Sequence, residues 1–269
     1  MRKLIKEFIP PILLKLLAKK PKYGWFGNYN TWKEAKENSI GYQANNILEK
    51  VKESLLKVKN DDKLFELDTV LYRMFDYPYN WQLLSIFLYI SQLNNNQLNV
   101  LDFGGSLGSS YFQHRMMLSN LSKFNYTIVE QPHFVDTGKK IFEDKYLKFE
   151  NNIESCLKKT KPHCILLSGV IQCIEEPVEL INKILSYNFE FIIVDRTPFF
   201  IDKPERITIQ KVPPRYHEAT LPYRIYNKEK FVDHFHKKYS IFLETSAVEE
   251  RIKVENCFAE LRFIVFKLK

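Results

Sequence analysis

Three of the chain's eight glycines fall within five positions, in the stretch VLDFGGSLGSSYFQ from Val100 to Gln113. A short apolar run ends in Asp102, a turn holds Gly104, Gly105 and Gly108, and a helix is expected to start at Ser109. Glycine is needed where backbone bends sharply or lets another group approach closely. A glycine-poor chain that concentrates them at one strand–helix turn is expected to hold a ligand there. The plain alternative is a tight connection with no ligand.

The rhythm around this stretch sets the fold class. Beyond residue 98, strand candidates are Asn99–Phe103, Tyr126–Glu130, Tyr146–Phe149, Cys164–Ser168, Phe191–Asp195, Ser240–Val248 and Cys257–Leu268. Helices are expected at Ser109–Leu121, Phe134–Glu143, Ile153–Lys158, Pro177–Tyr187 and Lys228–Lys238. Short apolar strands such as CILLS and FIIVD suit a parallel sheet covered on both faces. Alternating strands and helices predict a doubly wound α/β sheet, closed by an antiparallel hairpin from the last two strands.

Residues 1–95 read instead as a helical extension, with 96–269 as the α/β domain. Asn30 or Thr31 caps a helix from Trp32, a second runs from about Tyr42 to Val58, and Leu64–Leu93 carries helical spacing interrupted by Pro78. Tyr23, Trp25, Phe26, Tyr29 and Trp32 crowd the lead-in. They suit either a cover over a ligand pocket or an aromatic core anchor.

Charge and cysteines narrow the function classes. The net charge is +8, but residues 1–22 carry seven Lys or Arg against Glu7, leaving only +2 for the remaining 247. General nucleic-acid binding is therefore disfavoured. The basic start LIKEFIPPILLKLLAKK is too short and interrupted to span a bilayer, and lacks a signal-peptide cleavage site. It is read as peripheral contact with an anionic membrane or as packing on the domain. Cys156, Cys164, Cys173 and Cys257 show no CxxC spacing, which predicts reduced thiols in a cytoplasmic protein. No metal site is expected, since His234 and His236 are two apart on a helix and face different ways.

In open parallel sheets ligands sit at the carboxyl ends of the strands. Here those ends are Asp102 with the glycine turn, Glu130–Gln131, Ser168–Gly169 and Asp195–Arg196. Glu130 lies 22 residues past Gly108, where an acid meets the ribose hydroxyls of an adenosine cofactor. A dinucleotide turn wants GxGxxG for a pyrophosphate. Asp102 beside this turn repels a pyrophosphate and attracts the ammonium of an amino-acid tail, which favours S-adenosylmethionine.

From about 98 to 268 the chain resembles a class I S-adenosylmethionine-dependent methyltransferase. VLDFGGSLG resembles the first motif of that class, with Ser106 in place of the middle glycine and Gly105 extra; YTIVEQ resembles its second strand and ribose acid. CILLSGVIQCIEEP resembles its fourth strand, with His163 where an Asp is common. More narrowly, GNYNTWKEA, DFGGSLG, VEQPHFV, SGVIQCIEEP and VDRTP together resemble a family described as methyltransferases in bacterial surface-polysaccharide gene neighbourhoods.

The resemblance implies a Rossmann-like seven-stranded sheet with the last strand antiparallel. It also implies a cofactor over Gly104, Gly105, Ser106 and Gly108, with Glu130 and Gln131 at the ribose. Asn152 and Ile153 would lie near the adenine, and Ser168 and Gly169 would flank the methionine part. For the acceptor, His217 and Tyr216 in PPRYHEATLPYRIYN are the candidate bases, with Arg196 beside them. Arg196, Arg206, Arg215 and Arg224 suit a phosphate or carboxylate on the acceptor, or a solvated basic loop. The expected reaction is O- or N-methylation of a sugar, sugar nucleotide or phosphate-type decoration in capsule or lipopolysaccharide assembly, free or carrier-linked. The alternative is a cofactor-binding, non-catalytic partner of another enzyme. Nucleic-acid methylation is disfavoured, because SGVI stands where NPPY is expected.

Overall fold

The computed structural model describes residues 22–39, 44–214, 216 and 219–269. Strands β1 (Gly24–Tyr29), β2 (Leu64–Leu67), β3 (Val70–Arg73), β4 (Gln97–Phe103), β5 (Lys123–Val129), β6 (Leu147–Glu150) and β7 (Cys164–Ser168) are followed by β8 (Phe191–Phe200), β9 (Arg206–Val212), β10 (Ala219–Asn227), β11 (Tyr239–Val254) and β12 (Cys257–Leu268). The helices are α1 (Trp32–Glu37), α2 (Ala44–Asn60), α3 (Trp81–Leu93), α4 (Ser109–Leu118), α5 (Pro132–Ile141), α6 (Ile153–Leu157), α7 (Pro177–Ser186) and α8 (Lys228–Asp233).

All strands but β2 and β3 form one mixed sheet in the order β10-β9-β1-β11-β12-β8-β7-β4-β5-β6. Strands β6, β5, β4, β7 and β8 are parallel, and β12 runs antiparallel between β8 and β11. Alternation along each strand separates two cores. Val100, Tyr126, Leu166 and Ile193 point to the face covered by α2, α3, α4 and α5. Leu101, Ile165, Ile192 and Ile264 point to the face covered by α6, α7 and α8.

Two expectations are corrected here. The sheet has ten strands, not seven. The added β1, β9 and β10 lie beyond β11, and β10 returns to pair with β8 through Tyr226–Phe199 and Asn227–Phe200. Strands β8, β12, β11, β1, β9 and β10 thereby close a six-stranded barrel around Phe200, Tyr223, Ile225, Val254 and Leu261. The stretch between β8 and α8, which holds PPRYHEATLPYRIYN, is mostly this β9–β10 pair.

The first 95 residues are likewise not simply helical. Leu64 to Leu93 begins with a hairpin, because Asp68 (φ 51) and Thr69 (φ 69) make a two-residue turn with both φ positive between β2 and β3. Its apolar residues fit a helix or a strand pair equally well by spacing, and the Phe65–Tyr72 stacking across the hairpin decides for the pair. Elsewhere Thr31 caps α1 by accepting from the Glu34 N–H, while Asn80 caps α3. Apart from Lys22, the basic start lies outside the described residues, as do Arg215 and His217. Among the described residues no helix is long and apolar enough to cross a membrane.

Two bulges join sheet to barrel. On β8, Asp195 and Arg196 stand opposite the single residue Phe263, between the Val194–Ile264 and Thr197–Arg262 pairs. Arg196 accordingly takes a left-handed φ of 52°. On β11 the register breaks between Ser246 and Arg251, and Glu250 has φ 54°. Bulges bend a strand and re-aim its side chains. Both aim into the same place.

Candidate active site

The glycine turn leaves β4 at Phe103. Gly104 (φ 72°) donates its N–H to Val129 O at 2.9 Å, and Gly108 (φ 108°) caps α4. Gly105 has no such φ, yet a Cβ there would lie 2.5 Å from the Asp102 carboxyl carbon, so glycine is required by close approach. Ser106, in the middle-glycine place, still adopts the left-handed φ of 55°. Its N–H and that of Gln131 bond the Glu130 carboxylate, the latter at 2.5 Å. That link ties the ends of β4 and β5 together.

A cavity of about 170 Å³ opens against this turn. Asp102, Gly104, Gly105, Ser106, Ser168 and Gly169 all line it, so six of the expected cofactor residues are brought together. Gly108 packs beneath, toward Ile128 and Leu147. The nucleoside-side residues do not line the cavity. Glu130 and Gln131 lie past the end of β5, the Asn152 side chain caps α6 by accepting from Ser155 N–H at 2.8 Å, and Ile153 is buried in the core.

The cavity is acidic. Glu66, Asp68, Asp102, Asp195 and Glu249 line it against one cation, Arg196. The Asp102 carboxyl is buried and accepts from the Tyr126 hydroxyl at 2.7 Å; burial pushes it up to about 7. Glu66 accepts from the Thr69 N–H at 2.5 Å and from the Ser109 hydroxyl, and burial also lifts it to about 7. Asp195 is wholly buried and raised by burial to about 6. Its Oδ2 accepts from Asn80 Nδ2 at 3.0 Å and from the Ser168 hydroxyl at 2.9 Å. Its Oδ1 is buried with no partner among the described residues. Buried carboxyls kept partly protonated by desolvation ionise when a cation enters beside them.

Arg196 stands at the edge of this chamber. Its Nη2 is 2.5 Å from Asp68 Oδ2 and its Nε 2.8 Å from Glu249 Oε1. The same three residues line a second, larger cavity of about 570 Å³ at the barrel mouth. They form a charged partition between the two. The backbone carbonyl of Tyr216, which also lines the larger cavity, accepts from the Thr69 hydroxyl at 3.2 Å.

Of the other arginines expected at the acceptor mouth, Arg206 and Arg224 are engaged elsewhere. Arg206 pairs with Glu255 and donates to Gly27 O, and Arg224 pairs with Glu205 and lies over the Trp32 ring. Glu66, Asp68, Asn80 and Glu249 are site residues that the sequence reading missed. The polar pair Asp68–Thr69, set between Phe65–Glu66–Leu67 and the apolar run Val70–Leu71–Tyr72, was their one legible signal.

No protein-family model matches the chain, and no curated protein matches it. Among solved structures it is similar to 1,6-didemethyltoxoflavin-N1-methyltransferase of Burkholderia thailandensis, at 11% identity over 72% of this chain and 80% of that one, with a TM-score of 0.43. It is also similar to magnesium protoporphyrin IX methyltransferase from Synechocystis, at 13% identity over 70% and 79%, TM-score 0.43. A third is the N-terminal domain of EvdMO1, at 12% identity over 84% and 97%, TM-score 0.46. At these scores the likeness carries no weight for function, which has to rest on the residues of the site.

Proposed function

We propose that this chain is an S-adenosylmethionine-dependent methyltransferase that methylates an oxygen or nitrogen of a polar acceptor. The observation that carries the reading is the acidic cavity against the glycine turn, with Asp102 at its floor and the buried Asp195 Oδ1 lacking a partner among the described residues. A pyrophosphate is disfavoured by a lining of carboxyl groups with a single arginine; an ammonium and a sulfonium are attracted.

Asp102 would hold the amino end of the cofactor, Glu130 the ribose, and the backbone from Gly104 to Gly108 the approach between them. Ser168 and Gly169 would flank the methionine part. When bound, the cofactor supplies an electrophilic methyl on a cationic sulfur. The chain's own task is then positioning: the acids orient that cation, and the partition of Asp68, Arg196 and Glu249 sets where an acceptor meets it. The proton released from the acceptor goes to a base on the loop after β9, where Tyr216 lines the larger cavity and His217 is adjacent in sequence. The finer proposal, a glycan intermediate of bacterial surface-polysaccharide assembly handled in the cytoplasm, rests on the sequence resemblance.

Calorimetric titration with S-adenosylmethionine tests the core of this. Saturable heat is expected with it and none with NAD; heat with NAD alone would overturn the assignment. Transfer of a labelled methyl to a bacterial glycan-precursor extract separates an enzyme from a cofactor-binding partner, which binds but transfers nothing.

A further inference from the structure

The outer wall of the barrel differs in kind from its interior. Along β11 exposure alternates, with Arg251 and Lys253 exposed and Ile252 and Val254 buried. On β9, Lys211 is exposed between Gln210, which lines the larger cavity, and the buried Val212. Successive side chains of a strand point to opposite faces, so all three cations stand on the outside. Register sets two of them in one row across four strands. Lys211 pairs with Gly24, Gly24 and Lys253 directly precede the parallel pair Trp25–Val254, and Lys253 pairs with Phe258. Neighbouring strands lie about 4.8 Å apart, so the row runs about 14 Å.

Aromatic carbon lies open among these charges. Phe258 is 54% exposed with Arg251 over its ring at 4.8 Å, and Lys211 lies over the Phe26 ring at 5.5 Å. Lys22, exposed and over the Tyr23 ring, stands two residues before the Gly24 of the row. The acids of this wall are spoken for: Glu255 pairs with Arg206, and Glu260, opposite Arg251 in register, pairs with Arg262. Lys22, Lys211, Arg251 and Lys253 form no ion pair among the described residues. Residues 1–21, which lead directly into Lys22, hold six Lys or Arg against Glu7, and nine Leu, Ile or Phe.

We propose that this outer wall is a peripheral membrane face that binds anionic phospholipid, with Lys211, Arg251 and Lys253 at the headgroups and Phe258 at the interface. Residues 1–21 join the same contact with further charge and apolar side chains. Each cation near an anionic bilayer adds attraction, and apolar burial adds to it. A nucleic acid backbone would use the cations but has no place for Phe258 or for the Leu, Ile and Phe of residues 1–21. Trp25 and Gln210, which alternate with the row, line the larger cavity. The same strands thus turn one face to that cavity and the other to the bilayer. The contact is independent of the reaction at the acidic cavity.

The test is co-sedimentation of the full chain with vesicles of phosphatidylcholine, alone or with about a third phosphatidylglycerol, in low and high salt. Binding is expected to be at least tenfold tighter to the anionic vesicles and to weaken in high salt. The variant Lys211→Gln/Arg251→Gln/Lys253→Gln keeps residues 1–22, and is expected to lose at least tenfold with an unchanged urea midpoint. Lys57→Gln/Lys139→Gln/Lys140→Gln removes the same charge from exposed positions on α2 and α5 and is expected to lose less than threefold. Phe258→Ser is expected to weaken vesicle binding and leave retention on heparin unchanged. No preference for anionic vesicles, or equal losses in the two triple variants, overturns the face. Unchanged binding in the first triple variant overturns it too and leaves the contact to residues 1–21. Vesicle binding indifferent to Phe258→Ser and displaced by duplex DNA would make the wall a general polyanion surface, which overturns the lipid assignment.

Discussion

The side-chain amide of Asn80 donates to Asp195 Oδ2 at 3.0 Å, joining the cap of α3 to the bulge of β8. The same asparagine accepts from Leu83 N–H at 2.9 Å through Oδ1, and its carbonyl is 3.0 Å from His114 Nε2. One buried residue thus starts a helix and fixes an acid of the site. Asn80→Ala removes a cap and a bond to a buried carboxyl, and a loss of about 1–3 kcal/mol is expected in urea unfolding. Asn80→Asp keeps the cap but faces Asp195 with a second acid, so it should be no more stable than the alanine variant near pH 8.

Gly105→Ala tests close packing at the turn without backbone strain. The new methyl would meet the Asp102 carboxyl at 2.5 Å and push it from its place. Affinity for S-adenosylmethionine is expected to fall at least tenfold by calorimetry, and wild-type affinity would show that Asp102 is not where the ligand binds.

The buried acids predict a pH dependence. Glu66 and Asp102 are lifted to about 7 and Asp195 to about 6, all by burial. In the unfolded chain they ionise near 4. Between about pH 4 and 7 the native state therefore holds more protons, so these groups' contribution to stability falls as pH rises through that window. Urea midpoints across pH 4.5–8 should show a fall that Asp102→Asn reduces.

Ligand binding should run the opposite way. A cation favours the ionised carboxyls, so its entry releases protons below about pH 7 and its affinity rises with pH up to there. Titrations of S-adenosylmethionine at pH 6 in buffers of different ionisation heat are expected to report net proton release. Uptake, or no exchange, would contradict the placement of the cation among these acids.

The partition predicts a coupling. Arg196→Met leaves Asp68 and Glu249 facing each other without their cation, with a destabilisation of up to about 3 kcal/mol, moderated because Asp68 is half-exposed. Replacing Glu249 by Leu as well should recover part of that loss. A double variant as unstable as the sum of the two singles would mean that the pair is not coupled.

The sequence by itself determined the parts whose signal is local. Strands Cys164–Ser168 and Cys257–Leu268 were legible to the residue, since apolar runs and bounding turns sit within the segment itself. The glycine turn was legible too, because only its composition permits the bend that Gly104 and Gly108 make. Tertiary structure decided the rest. Strands β1, β9 and β10 gain their identity from partners far away in sequence, as when Trp25 pairs with Gln210 and Val254, and no local period reports that. The hairpin of Leu64 to Arg73 has apolar spacing that suits a helix as well, until Phe65 and Tyr72 stack across it. Asp68, Asp195, Arg196 and Glu249 meet because one tight turn and two bulges aim them at a common point. A bulge is fixed by the mismatch between two strands, so it exists only once both have been paired.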